Sequence, residues 1–264
     1  MLTFGIARII QFLSQREACA PRIIGSVQVD SEPITHFDQD PQRLAVIGEC
    51  IENYDVGKPG AKWPNNIISR TTVVYGSGVI ADRDDPVVHD VDPAEWELCK
   101  RIAAEANAAI SGADVGMGSE SSDPFNEFYI TANRGDSVPS LITEEFIREK
   151  FRGTLFPPVT ITVEPLVEQG VWWSEVMADA DGYVGEELES YLAPWRSMMS
   201  YLRDSPHLSG TSFVRIGDLE ALQDLDTKSY PDGTEINGCV LPRLAVGLTN
   251  QGSIAGILGY SVQT

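Results

Sequence analysis

Basic residues are scarce in this chain. Nineteen Lys and Arg stand against 39 Asp and Glu, for a formal net charge of −20 over 264 residues. Phosphate backbones are gripped through Lys and Arg, so direct nucleic-acid binding is not expected. Cysteine is sparse as well: Cys19, Cys50, Cys99 and Cys239 lie at least 31 residues apart, none in C-x-x-C spacing. That pattern argues against a zinc site and for buried, reduced thiols. No apolar run is long enough to cross a membrane. H-E-x-x-H and G-x-S-x-G are missing, and His36, His89 and His207 each stand alone; a hydrolytic triad stays open only as a convergence in space. Gly76-Ser77-Gly78 is followed by neither Lys nor a helical pattern, which excludes a phosphate loop. No N-x-[ST] sequon occurs. Arg8 interrupts the apolar opening stretch, which has no small-residue cleavage signature, so a secretory signal is not expected. Phe4, Ile6, Ile9, Ile10 and Leu13 form a stripe with two readings, a helix packed on the core or an amphipathic organellar-transit helix. The cytoplasm is the default compartment.

What is present is enough apolar residue, 42%, for a sizeable core. Residues 1–92 carry 13 acids and 8 bases, residues 93–264 carry 26 and 11. This shift marks a candidate boundary at Asp92–Pro93, between an N-terminal extension (1–92) of unassigned function and a second domain (93–264). The extension reads as β-rich, with strand-like "RIIGSVQV", "RLAVIGECI" and "TTVVYGSGVI". Asp92 then reads as an N-cap with Pro93 at the first helical position and Glu95 as the partner of a capping box. Trp96, Cys99, Ile102, Ala103, Ala106 and Ile110 continue as a helical stripe. "FNEFYITA" reads as a strand, "ITEEFIREKF" as a short helix capped by Thr143, and "PPVTITVEPL" as a strand. "EELESYLAPWRSMMSYLRD" is a long amphipathic helix with Leu188, Leu192, Trp195, Met199 and Leu202 on one face. "TSFVRIGDLE" is a strand, "ALQDLDTKSYPDGTEING" an inserted polar loop, and "CVLPRLAVGL", a turn and "SIAGILGYSVQT" a hairpin. The expected class is α+β, with helices packed on a mostly antiparallel sheet.

Few residue groups suggest chemistry. Asp82, Asp84, Asp85, Asp90 and Asp92, with His89, are dense enough to hold a divalent cation, but they lack the periodicity of a calcium loop and read first as a solvated loop. Arg134-Gly135-Asp136 reads as a turn. Ser119-Glu120-Ser121 sets a carboxylate between hydroxyls in a loop fixed by Pro124. It is a good acceptor for an arginine fork, or a turn and cap cluster. Thr264 offers hydroxyl and carboxylate oxygens, hard donors suited to Mg²⁺, Mn²⁺ or Ca²⁺.

Taken together, these segments resemble the nuclease A inhibitor family, small acidic inhibitors of sugar-non-specific nucleases of the ββα-metal type. The resemblance runs from the helix at Pro93 through Ser119-Glu120-Ser121, Pro124 and Phe125 to the long helix and "FVRIGDLE". It is closest in Gly247, Gly252, Ala255-Gly256, Val262 and Thr264, which fall at the family's spacing. Gln263 stands where the family usually has Glu, residues 221–240 look like an insertion, and 1–92 have no counterpart in the short members. The resemblance implies an α-β-α sandwich-like domain and a non-enzymatic, protein-binding inhibitor. It implies partner contacts by Ser119, Glu120, Ser121, Gln263 and Thr264. Glu120 would meet a nuclease arginine, and Thr264 would reach the partner's catalytic metal, so that the chain needs no cofactor of its own. The partner is then a nuclease with a basic cleft. The extension and the insertion favour another outcome, an accessory subunit of a larger assembly that kept the inhibitor fold. An enzyme built on the Asp82–Asp92 loop is a third reading.

Overall fold

The computed structural model describes residues 32–34, 40, 47, 62–63, 67–224 and 239–263. All belong to one compact unit, Ser31–Thr264; the other unit, Met1–Asp30, lies outside the described residues. So do "RIIGSVQV", the Phe4–Leu13 stripe, residues 225–238 of the inserted loop, and Thr264.

A five-stranded antiparallel sheet organises the chain. Its strands are β3 (Asn126–Ile130), β4 (Ile161–Pro165), β5 (Leu208–Ile216), β6 (Cys239–Thr249) and β7 (Ile254–Gln263), in the spatial order β3-β7-β6-β5-β4. β6 and β7 form the expected hairpin in continuous register from Leu248↔Ile254 to Cys239↔Gln263. Alternation along the strands divides the interior in two. On one face Phe128, Ile130, Val214, Leu244, Val246, Leu258 and Val262 pack against Phe146, Ile147 and Phe151 of α2 (Glu144–Phe151). On the other face Tyr129, Phe213, Ala245, Ala255 and Ile257 meet three helices: α1 (Pro93–Ala109), α3 (Gly170–Asp179) and α4 (Glu186–Asp204). With both faces covered, the central strands read as near-continuous apolar runs. This is an α+β fold with helices on either side of the sheet.

The capped helices follow from their sequence. Asp92 accepts the Ala94 N–H (3.0 Å) and Pro93 fills the first turn of α1; Thr143 Oγ1 accepts the Phe146 N–H (3.2 Å) at α2. Leu192, Trp195, Met199 and Leu202 of α4 are buried as the stripe requires, joined by Met198.

Several expectations are corrected. Glu95 closes no capping box: it is 3% exposed, turned inward, and accepts the Thr249 hydroxyl from the β6–β7 turn. "TTVVYGSGVI" is not one strand but a hairpin, β1 (Thr72–Val74) and β2 (Ile80–Asp82), because Gly76-Ser77-Gly78 turns the chain; Gly78 has φ +94°. Of "RLAVIGECI" only Ile47 is described, and it is helical and buried rather than extended. Residues 219–223, read partly as strand and partly as loop, form the short helix α5 (Leu219–Gln223), capped by Asp218 through the Ala221 N–H (2.9 Å). α3 was not expected at all. The packing also has no break at Asp92–Pro93: Ile67, Ile68, Val74 and Ile80 share a core with Phe128, Val214 and Leu244. Asymmetric charge marks a surface property there rather than two cores.

Candidate protein-binding site

β3 pairs with β7 only as far as Asn126↔Leu258. Beyond that point the last residues of β7 need another partner, and the Ser119–Ser121 loop supplies it. The Glu120 N–H donates to the Val262 carbonyl (2.8 Å), and the Val262 N–H donates to Ser119 Oγ (3.0 Å). The loop therefore extends the ladder where β3 stops. Gly259 makes room: a Cβ there would lie 2.3 Å from Val115 and 2.9 Å from Phe125.

Side chains fix the loop from three directions. Ser119 Oγ also accepts the Ser121 N–H (3.2 Å), and the Ser121 hydroxyl donates to Asp123. Tyr260 on β7 donates its hydroxyl to the other Asp123 oxygen (3.0 Å). Just upstream, Gly116, Met117 and Gly118 have φ of +58°, +60° and +71° in succession. Successive backbone N–H groups in a turn can form a concavity for an anion. Here the anion is internal: the Asp179 carboxylate at the end of α3 accepts the N–H groups of Met117 and Gly118 (3.4 Å to the latter). Left-handed Met117 carries a strain cost that a glycine would not, and burial of its side chain offsets it.

Ser119, Glu120, Ser121 and Gln263 thus come together at one end of the sheet. Glu120 is exposed; Ser119, Ser121 and Gln263 are half-buried, and the Gln263 amide donates to Ser261 Oγ (3.3 Å). Thr264 lies outside the described residues. Asp123, Tyr260 and Asp179, which hold the loop, were not foreseen. Asp123 and Tyr260 lie far apart in sequence, and Asp179 sits on a helix with no local start signal.

Two members of the acidic stretch Asp82–Asp92 are buried in the fold, Asp82 at the end of β2 and His89. Asp82 is 4% exposed and pairs with Lys62 (2.7 Å) while accepting the Thr71 hydroxyl (2.7 Å) and the Asp84 N–H (3.1 Å). Burial pushes its carboxyl up, but those partners together outweigh burial and hold it below the usual range. His89 is buried with Nδ1 2.7 Å from Ser77 Oγ, and it packs edge-on against Tyr75. Among the described residues no group of three or more His, Cys, Asp or Glu is arranged to hold a metal ion, and no helix is long and apolar enough to cross a membrane. A scan of protein-family models and a search of curated proteins return no match to this chain.

Proposed function

We propose that this protein is a non-enzymatic inhibitor that binds a metal-dependent nuclease of the ββα-metal type. The Ser119–Ser121 loop and the end of β7 enter the partner's basic cleft. The observation that supports this reading is the union of Ser119 and Val262, 143 residues apart, in one hydrogen-bonded unit that presents an exposed Glu120. The rest of the chain's −20 charge favours encounter with a basic cleft. Glu120 meets a partner arginine, Gln263 lies beside it, and Thr264 delivers hard oxygen ligands to the partner's metal. The metal belongs to the partner. Nuclease activity titrated with the full chain in the presence of Mg²⁺ tests the proposal. Saturable inhibition is expected, weakened in Glu120→Gln by about 1.5–3 kcal/mol, tenfold to a hundredfold or more in Kd. Full activity across several such nucleases would overturn it.

A second reading has its own support. Val138 and Leu141 are exposed (49% and 61%), and Val138 lies beside the β6–β7 turn at Gly252, at the opposite end of the hairpin from Gln263. A second apolar surface suits an accessory subunit held between neighbours. Affinity purification from the native source separates the two: recovery of one nuclease favours inhibition, recovery of a multi-subunit assembly favours the accessory role.

A further inference from the structure

A cavity of about 360 Å³ opens beside the Ser119–Ser121 loop, between that loop and α4. Asp114, Ser121, Ser122, Asp179, Ser190 and Tyr191 line it, and no basic residue does. Both carboxylates already accept hydrogen bonds, Asp179 from the Met117 and Gly118 N–H groups and Asp114 from the Ser122 hydroxyl, but no lining side chain balances their charge. The Ser121 and Ser122 hydroxyls are already spent on Asp123 and Asp114. Pro194, which also lines the cavity, has no N–H, so the Ser190 carbonyl one turn earlier lacks its helical donor. Burial first, then the nearby Asp179, Tyr183 and Asp114, pushes the Tyr191 hydroxyl up to about 12. Two carboxylates therefore act on the same hydroxyl, and the field inside the cavity is negative.

An exposed apolar side chain, Tyr183, adjoins the cavity. Seven large apolar side chains are exposed among the described residues, and four of them, Val171, Met177, Tyr183 and Val184, lie on α3 or the turn after it. Tyr183 packs edge-on against Tyr191, ring centroids 5.6 Å apart, so the exposed aromatic adjoins the cavity wall. An acidic hollow beside exposed Tyr and Val has the make-up of an interface core that receives a cationic anchor.

We propose that a partner protein inserts a lysine or arginine side chain into this cavity while an apolar neighbour of that residue covers Tyr183 and Val184. The inference deepens the inhibitor reading and rests on it only for the partner's identity. It widens the interface from the loop and β7 end, across Ser121, onto α3 and α4. It also requires two separate basic groups on the partner, one for Glu120 and one for the cavity.

The test uses the full chain and two small probes, Nα-acetyl-arginine amide and its neutral isostere Nα-acetyl-citrulline amide, followed by amide chemical shifts. At about 0.15 M ionic strength, charges separated by more than roughly 8 Å are largely screened, so diffuse attraction to an acidic protein is suppressed. The arginine probe is expected to shift the amides of Asp114, Ser122, Asp179 and Tyr191 saturably, and the citrulline probe at least tenfold more weakly. Ser190→Arg, on the exposed wall of the cavity, should abolish the saturable shifts, and Asp114→Asn should weaken them severalfold. Shifts that never saturate, that spread over Glu186 and Glu187, or that persist in Ser190→Arg would overturn the proposal. Its failure is separable from that of the inhibitor reading: a chain that takes up arginine but inhibits no nuclease keeps the cavity's role, and one that inhibits a nuclease yet ignores arginine loses it.

Discussion

Thr249→Val removes one oxygen from the interior and keeps the β-branched shape. Thr249 is 1% exposed; its hydroxyl donates to the buried Glu95 carboxylate and accepts the Ser253 N–H (3.0 Å). Ser253 Oγ in turn accepts the Ala132 N–H (2.9 Å). Among the described residues Glu95 also takes a long contact from the Cys99 thiol (3.9 Å). The substitution therefore strands a buried carboxylate and a buried N–H together. Each orphaned group costs about 1–3 kcal/mol, so a total of about 2–5 kcal/mol is expected. For a chain of this size that lowers Tm by about 5–15 °C. Chemical denaturation of wild type, Thr249→Val, Glu95→Gln and the double variant supplies the assay. The two sites should couple by about 1–3 kcal/mol, since they share one hydrogen bond. A Thr249→Val variant within about 0.5 kcal/mol of wild type, or a coupling near zero, would refute the account of how α1 is tied to the β6–β7 turn.

Four further outcomes are expected. Burial, then the nearby Arg152, holds His89 below its ordinary 6.5. The folded state binds fewer protons than the unfolded one, so stability should fall as pH drops below about 6.5, and His89→Gln should flatten that slope in pH-dependent thermal melts. Lys150 is 5% exposed on α2, and burial lowers its amine below 10.5. The unfolded state binds the extra proton, so the penalty holds at neutral pH and fades as pH rises toward 10.5; Lys150→Met should raise Tm at pH 7 and abolish the alkaline gain. Glu164→Gln should cost about 1–2 kcal/mol in denaturant melts, because the carboxylate caps α3 as well as facing Arg215 (3.6 Å). A fragment beginning at Pro93 should fail to give a cooperative melt, because it lacks Ile67, Ile68, Val74 and Ile80 from the shared core; a sharp transition like that of the full chain would show the remainder to be self-sufficient.

The elements legible in the sequence are those whose signals are local. Asp92 and Pro93 sit beside the helix they start, Thr143 beside α2, and the α4 stripe repeats within its own turns. α3 was illegible because its cap is remote: Gln169 offers no side-chain bond, and Glu164 on β4 reaches the N–H groups of Val171 (2.8 Å) and Trp172 (3.3 Å). Gly170, with φ +89°, disguised the start further, since such a glycine more often ends an element. Glu95 was misread for the opposite reason. Its spacing from Asp92 fits a local box, but a tertiary hydroxyl claims it. The candidate site was legible as residue types only, since Ser119-Glu120-Ser121 carries no trace of Asp179, Asp123 or Tyr260.

The way that loop is held decides what can change on it. Its shape depends on backbone groups: the Glu120 N–H on Val262, and the Met117 and Gly118 N–H groups on Asp179. Side chains add support through the Ser119 and Ser121 hydroxyls and through Tyr260, which holds Asp123. Glu120 is exposed, so replacing its carboxylate alters the charge shown to a partner. Asp179 differs. It anchors the loop and also lines the neighbouring cavity, so changing it disturbs geometry and charge together. Asp179 is therefore a position at which partner choice cannot be retuned without cost to the loop that carries Glu120.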